Sequence, residues 1–107
     1  MKKTEYIIIL TSVSSYKEAE KIADALVDAR LASCVSILQN IKSIYKWQGK
    51  KERCRENLLF IKSKENKFKQ IAKKIKSLHS YQVPEIIALP VIKGSKDYLD
   101  WIKQVIS

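Results

Sequence analysis

His79 is the only histidine in a chain of 107 residues. Its imidazole is a natural ligand for copper or zinc. Glu85, a little further along, could add a carboxylate. A closed metal site takes three or four ligands, so this pair is a candidate donor set rather than a complete one. Cys34 and Cys54 form neither a CxxC pair nor a disulfide framework, and each reads as a small apolar packing residue. A metallochaperone of this size would carry CxxC after its first strand, where Thr11-Ser12-Val13-Ser14 stands instead. Gly49 and Gly94 are the only glycines and lie far apart, which excludes a glycine-rich phosphate loop. Nothing near His79 supports a Ser/His/Asp or Cys/His arrangement, and catalysis is not expected.

Charge raises a different possibility. With 21 Lys and Arg against 11 Asp and Glu, the formal net charge is +10, which attracts nucleic acid, anionic lipid or acidic small molecules. All the basic residues except Arg30, Arg53 and Arg55 are lysine. Base readout favours the planar, bidentate guanidinium, so the lysine bias points to a solvated surface. A nucleic-acid-binding module using the Lys-rich segment from Lys64 to Lys76 stands as the alternative reading. Against it, Arg53 to Phe60 lacks the stacking aromatics of an RNA-recognition third strand. The apolar run Tyr6 to Leu10 is too short for a membrane span or a signal peptide, so the expected compartment is the cytoplasm.

The elements that position these residues follow from hydrophobic period. Tyr6 to Leu10 reads as a buried strand. Ser15 and Glu18 match a capping box opening a helix, with Ala19, Ile22, Ala23, Leu26, Val27 and Arg30 on one face. Ala32 to Trp47 reads as a long strand interrupted at Asn40, with a turn at Gln48-Gly49-Lys50 and a second long strand over Arg53–Ser63. A helix from Glu65 to Leu78, a strand from Glu85 to Ile92 and a Ser95-capped helix follow, the last with Tyr98, Trp101, Ile102 and Val105 inward. The order βαββαβ plus a C-terminal helix is the α+β, ferredoxin-like split βαβ arrangement on an antiparallel sheet, with residues 1–107 as one domain.

In that arrangement both main helices cover one face of the sheet, and strands should alternate apolar with polar. Ile7, Ile8 and Ile9 cannot all point one way, and neither can Ile86, Ile87, Ala88 and Leu89. The second face therefore needs a cover larger than one terminal helix, and symmetric self-association is the expected answer. The two long strands should project beyond the core and offer edges to a neighbour.

One known family carries this pattern in detail. His79-Ser80-Tyr81-Gln82-Val83-Pro84-Glu85-Ile86-Ile87-Ala88-Leu89-Pro90 resembles the HPYxVPEIIxLP motif of the CutA divalent-cation tolerance proteins. Ser43-Ile44-Tyr45-Lys46-Trp47-Gln48-Gly49-Lys50 is similar to their SxYxWxGK segment. Glu56, Ile61-Lys62, Cys34-Val35 and Gly94 with Tyr98-Leu99-Asp100-Trp101 fall into place as well. The resemblance implies a homotrimer built like the PII signalling proteins, with copper or a related divalent ion as ligand and a role in metal tolerance. It also implies that Tyr45, Trp47, Glu56, Lys62, Tyr81, Tyr98 and Trp101, with Glu85, line an inter-subunit cleft or anchor the interface. The chain departs from some members at Thr11, where they have Cys, and at Leu78, where they have a second His; both departures remove copper ligands.

Overall fold

A β-branched, apolar run sits most comfortably inside a sheet, and β1 (Tyr6–Val13) occupies such a position. It pairs antiparallel with β3 (Lys50–Lys64) on one side and β4 (Ile87–Pro90) on the other, while β2 (Cys34–Trp47) pairs outside β3. The computed structural model describes residues 5–106 and gives the sheet order β2-β3-β1-β4. Helix α1 (Tyr16–Asp28) connects β1 to β2, α2 (Phe68–Leu78) connects β3 to β4 after a 3-10 turn at Glu65–Lys67, and α3 (Lys96–Val105) ends the chain. This is the α+β, antiparallel, split-βαβ arrangement read from the sequence. Among the described residues no helix is long and apolar enough to cross a membrane.

The core lies between one sheet face and the two long helices. Ile9 of β1, Leu59 and Ile61 of β3, Ile22 and Leu26 of α1, and Ile71 and Ile75 of α2 are completely buried. Each such side chain stabilises the fold by roughly 1.5–3 kcal/mol relative to exposure. Register assigns the opposite face: Ile8 pairs with Lys62 and Leu89, Leu10 pairs with Phe60 and Ile87, and Leu38 pairs with Leu58. Leu38, Ile87 and Leu89 are about half exposed there (52%, 51% and 47%), so one chain leaves a continuous apolar surface on that face.

Several local expectations change in the structure. β1 runs on to Val13 because β3 still offers it a partner at Asn57. β4 is confined to Ile87–Pro90 because its pairing with β1 spans only Ile7 to Leu10. Beyond it Ile92 is exposed, although Val91 still donates its N–H to the Tyr6 carbonyl at 3.0 Å. Arg30 is not on the helix face. The helix ends first, and Arg30 takes a left-handed φ of 58°. Its Nε then donates to the Val105 carbonyl, tying the end of α1 to the end of α3. Val27 is exposed, as are Tyr98 and Trp101, and of the α3 residues expected inward only Ile102 is fully buried, with Val105 half-buried.

The hairpin is the largest departure from a compact outline. Its strands of 14 and 15 residues slip register between Leu38 and Ile41, around Asn40 at a φ of 61°. An extra residue at a bulge moves the following side chains to the other face. The tip is a two-residue turn in which Gln48 and Gly49 both have positive φ, the geometry favoured between twisted antiparallel strands.

Candidate functional site

The bulge decides which side chains reach the candidate site. Beyond it Tyr45 and Trp47 of β2 share a face with Glu52, Cys54 and Glu56 of β3, because Tyr45 pairs with Glu52 and Ile41 with Glu56. The segment after α2 folds against this face. Tyr45, Trp47 and Tyr81, with Ser80, Gln82 and Val83, line a cavity of ≈ 360 Å³.

A chain of polar contacts fixes that segment. His79 caps α2, its N–H donating to the Ile75 carbonyl at 2.8 Å. Its ring side chain is fully buried. Nε2 lies 2.8 Å from the Ser12 carbonyl and Nδ1 is 3.0 Å from the Tyr81 N–H. A carbonyl only accepts and an amide only donates, so the proton is on Nε2 and the Nδ1 lone pair is taken. Glu18 accepts from the Ser80 N–H and hydroxyl, each at 3.2 Å. The expected capping box is thus only half formed: the Ser15 hydroxyl accepts from the Glu18 N–H at 3.1 Å, while the carboxylate serves the Ser80 segment.

Tyr81 completes the arrangement by donating its hydroxyl to Glu56 at 2.6 Å. Glu56 is 6% exposed, and this hydrogen bond is what offsets the cost of burying its carboxylate. Burial raises the Tyr81 phenol well above its ordinary pKa, and the bond to Glu56 raises it further. The Tyr45 phenol is raised too, first by its contact with the Cys54 thiol at 3.9 Å, then by desolvation and by the charges of Glu52 and Glu56.

The remaining expected residues fall elsewhere. Lys62 pairs across the strands with Cys34, donates to the Ser36 hydroxyl and lies 3.8 Å from the Cys34 thiol. Tyr98 and Trp101 associate with each other on α3, ring centroids 5.7 Å apart. The Tyr98 phenol is raised by burial, with Cys34 adding to the effect. One chain therefore separates the expected cleft set: Tyr45, Trp47, Tyr81 and Glu56 lie at the hairpin, Lys62 beside Cys34 and Ser36, and Tyr98 with Trp101 on α3. Cys54, Ser80, Gln82 and Glu18 were not anticipated. Counting alternate positions back from Gly49 on β2 and forward on β3 would have placed Cys54 beside Tyr45.

The donor chemistry does not fit a metal ion within one chain. Both ring nitrogens of His79 are engaged, and Glu85 is exposed. No group of three or more His, Cys, Asp or Glu side chains able to hold an ion occurs among the described residues.

A split-βαβ sheet with a long bulged hairpin and an aromatic-lined cavity defines a class of small α+β proteins. The family described as CutA1 divalent ion tolerance protein matches residues 7–105. The chain belongs to that family. It is 43% identical over 97 residues to the divalent-cation tolerance protein CutA of Thermus thermophilus, covering 91% of this chain and 94% of that one. Protein CutA of Homo sapiens is 44% identical over 89 residues, 83% of this chain but 50% of the human protein. The crystal structure of CutA1 from Shewanella sp. SIB1 superposes with a TM-score of 0.95 at 38% identity, covering 98% of both chains. These matches support membership of the divalent-cation tolerance family and lend nothing to the nucleic-acid alternative.

Proposed function

We propose that this chain works as a homotrimer in divalent-metal tolerance, with copper as the expected ion, and that it binds or regulates rather than catalyses. The observation that carries the assembly is the uncovered sheet face: Leu38, Ile87 and Leu89 are half exposed beside Ile8, Leu10, Leu58 and Phe60. Burying such side chains contributes roughly 1.5–3 kcal/mol each before the cost of association. Two edges also await partners, the 14-residue β2 and the short β4. The metal link rests on the relatives' names, since His79 and Glu85 do not form a donor set. Sedimentation equilibrium at micromolar concentration tests the assembly: three times the chain mass is expected, and a single-chain mass overturns it. Copper titration of the same sample tests the metal reading, with saturable binding expected and its absence contradicting a metal role.

A further inference from the structure

On the outer hairpin, positive charge collects on one face. Between Leu38 and Ile41 β2 takes three steps where β3 takes two from Leu58 to Glu56, so the extra residue lies in β2 and β3 keeps its alternation. Arg53 and Arg55 therefore continue the row of Leu59 and Ile61, which packs into the core with α1 and α2. Glu56 continues the opposite row of Leu58 and Phe60. Register adds Lys42 opposite Arg55, Ile44 opposite Arg53 and Lys46 opposite Lys51 to the first face, and all six side chains are exposed. Both carboxylates of this stretch, Glu52 and Glu56, fall on the other face with Tyr45 and Trp47, where Lys50 pairs with Trp47.

Like charges directly opposite one another on a sheet repel, and here two of the three cross-strand pairs set cation against cation. None of the five cations takes part in an ion pair among the described residues. Arg55 Nη1 donates to Asn40 Oδ1 at 2.7 Å, which leaves the other guanidinium N–H groups to a ligand. This face is also not the one that assembly through the apolar sheet surface would cover.

Pairs on one face of a ribbon repeat every two residues, about 6.6 Å. Alternate side chains of an extended polypeptide have the same repeat, so carboxylates at alternate positions can meet successive pairs through charge-assisted hydrogen bonds. Ile44, 55% exposed, places an apolar contact in the middle pair. A lipid surface has no fixed repeat to match, and this face lacks the aromatic platform on which single-stranded nucleic acid stacks. We propose that this face docks an extended acidic segment of a partner polypeptide, its carboxylates at alternate positions against the lysines and arginines and an apolar side chain against Ile44.

The probe is a dye-labelled peptide with glutamate at alternate positions, valine at the middle one of these and threonine between. Its fluorescence anisotropy is followed as the full chain is added at fixed ionic strength. The comparisons are a peptide of the same composition with its glutamates in one block, a single-stranded oligonucleotide, and vesicles containing phosphatidylserine. Saturable binding of the alternating peptide is expected, several-fold tighter than that of the block peptide. Lys46→Gln with Lys51→Gln should weaken it about fivefold, the scale of two exposed ion pairs. Lys69→Gln with Lys73→Gln makes the same charge change on α2 and should leave binding unmoved; all four positions are exposed, so the fold is kept. No saturable binding, equal affinity for the block peptide, preference for the oligonucleotide or the vesicles, or equal loss from both pairs of substitutions overturns the proposal. A lower assembly mass of the Lys46→Gln, Lys51→Gln variant in light scattering assigns the face to a second copy of the chain and overturns it as well.

Discussion

The inner and outer halves of the β2–β3 hairpin follow the same two-residue alternation and meet different surroundings. In the inner half, Leu59 and Ile61 are completely buried against α1 and α2, with Val35 and Ile37 packed beside them. In the outer half, Ile44, Tyr45 and Trp47 stay 42–55% exposed, and charge separates by face. The inner half is held by its own chain's helices. The outer half is held by backbone pairing and by one loop. Burial and exposure are therefore assigned to different stretches of the same two strands, and the bulge at Asn40 marks the border.

Cutting into the inner half gives the largest expected effect. Ile61→Ala should cost about 2–5 kcal/mol by loss of buried surface and a residual cavity. Ile44→Ala, on the same sheet face but in the exposed outer half, should stay within about 0.5 kcal/mol. Urea denaturation of both variants checks the contrast, and comparable losses would erase the distinction between the halves.

The loop that joins the halves comes next. Tyr81→Phe leaves the buried Glu56 carboxylate without its donor and should cost about 1–3 kcal/mol. The folded phenol holds its proton above the ordinary value of 10.0, so its contribution is complete below that pH and fades as the pH rises further. Denaturation at pH 8 and pH 11 should therefore show the gap between parent and Tyr81→Phe narrowing in alkali. His79→Ala removes a fully buried ring with both nitrogens engaged and should cost about 1–3 kcal/mol while leaving copper affinity unchanged. Loss of copper binding in that variant would return His79 to the metal ligands.

The smallest effect has the opposite sign. Thr11 is fully buried on the core face of β1, and its hydroxyl has no hydrogen-bond partner among the described residues. Thr11→Val keeps the shape and removes the orphan, so thermal unfolding should rise by the equivalent of about 1 kcal/mol.

Hydrophobic period was enough to read the element order, the sheet type and the cover missing from one face. It was not enough where the partner of a segment lies far away in sequence. The apolar run from Glu85 to Ile92 looked like one strand, yet its length is set by Ile7 to Leu10 of β1. Ser15 and Glu18 had capping-box spacing, but the Glu18 carboxylate finds better donors at Ser80. Tyr98 and Trp101 fit an inward helical stripe, yet both are exposed among the described residues. The resemblance named Tyr45, Trp47, Tyr81 and Glu56, which the structure brings together at the hairpin. The surroundings of Lys62 were not legible, because its neighbours Cys34 and Ser36 reach it only through cross-strand register.

The uncovered sheet face is the centre of the account, and a charge placed on it asks the question most directly. The solution mass of the parent and of Leu89→Glu, measured by light scattering at equal micromolar concentration, should give an assembly of three chains and single folded chains, respectively. A parent protein that already runs as one folded chain, with Ile87 and Leu89 facing water, would contradict it.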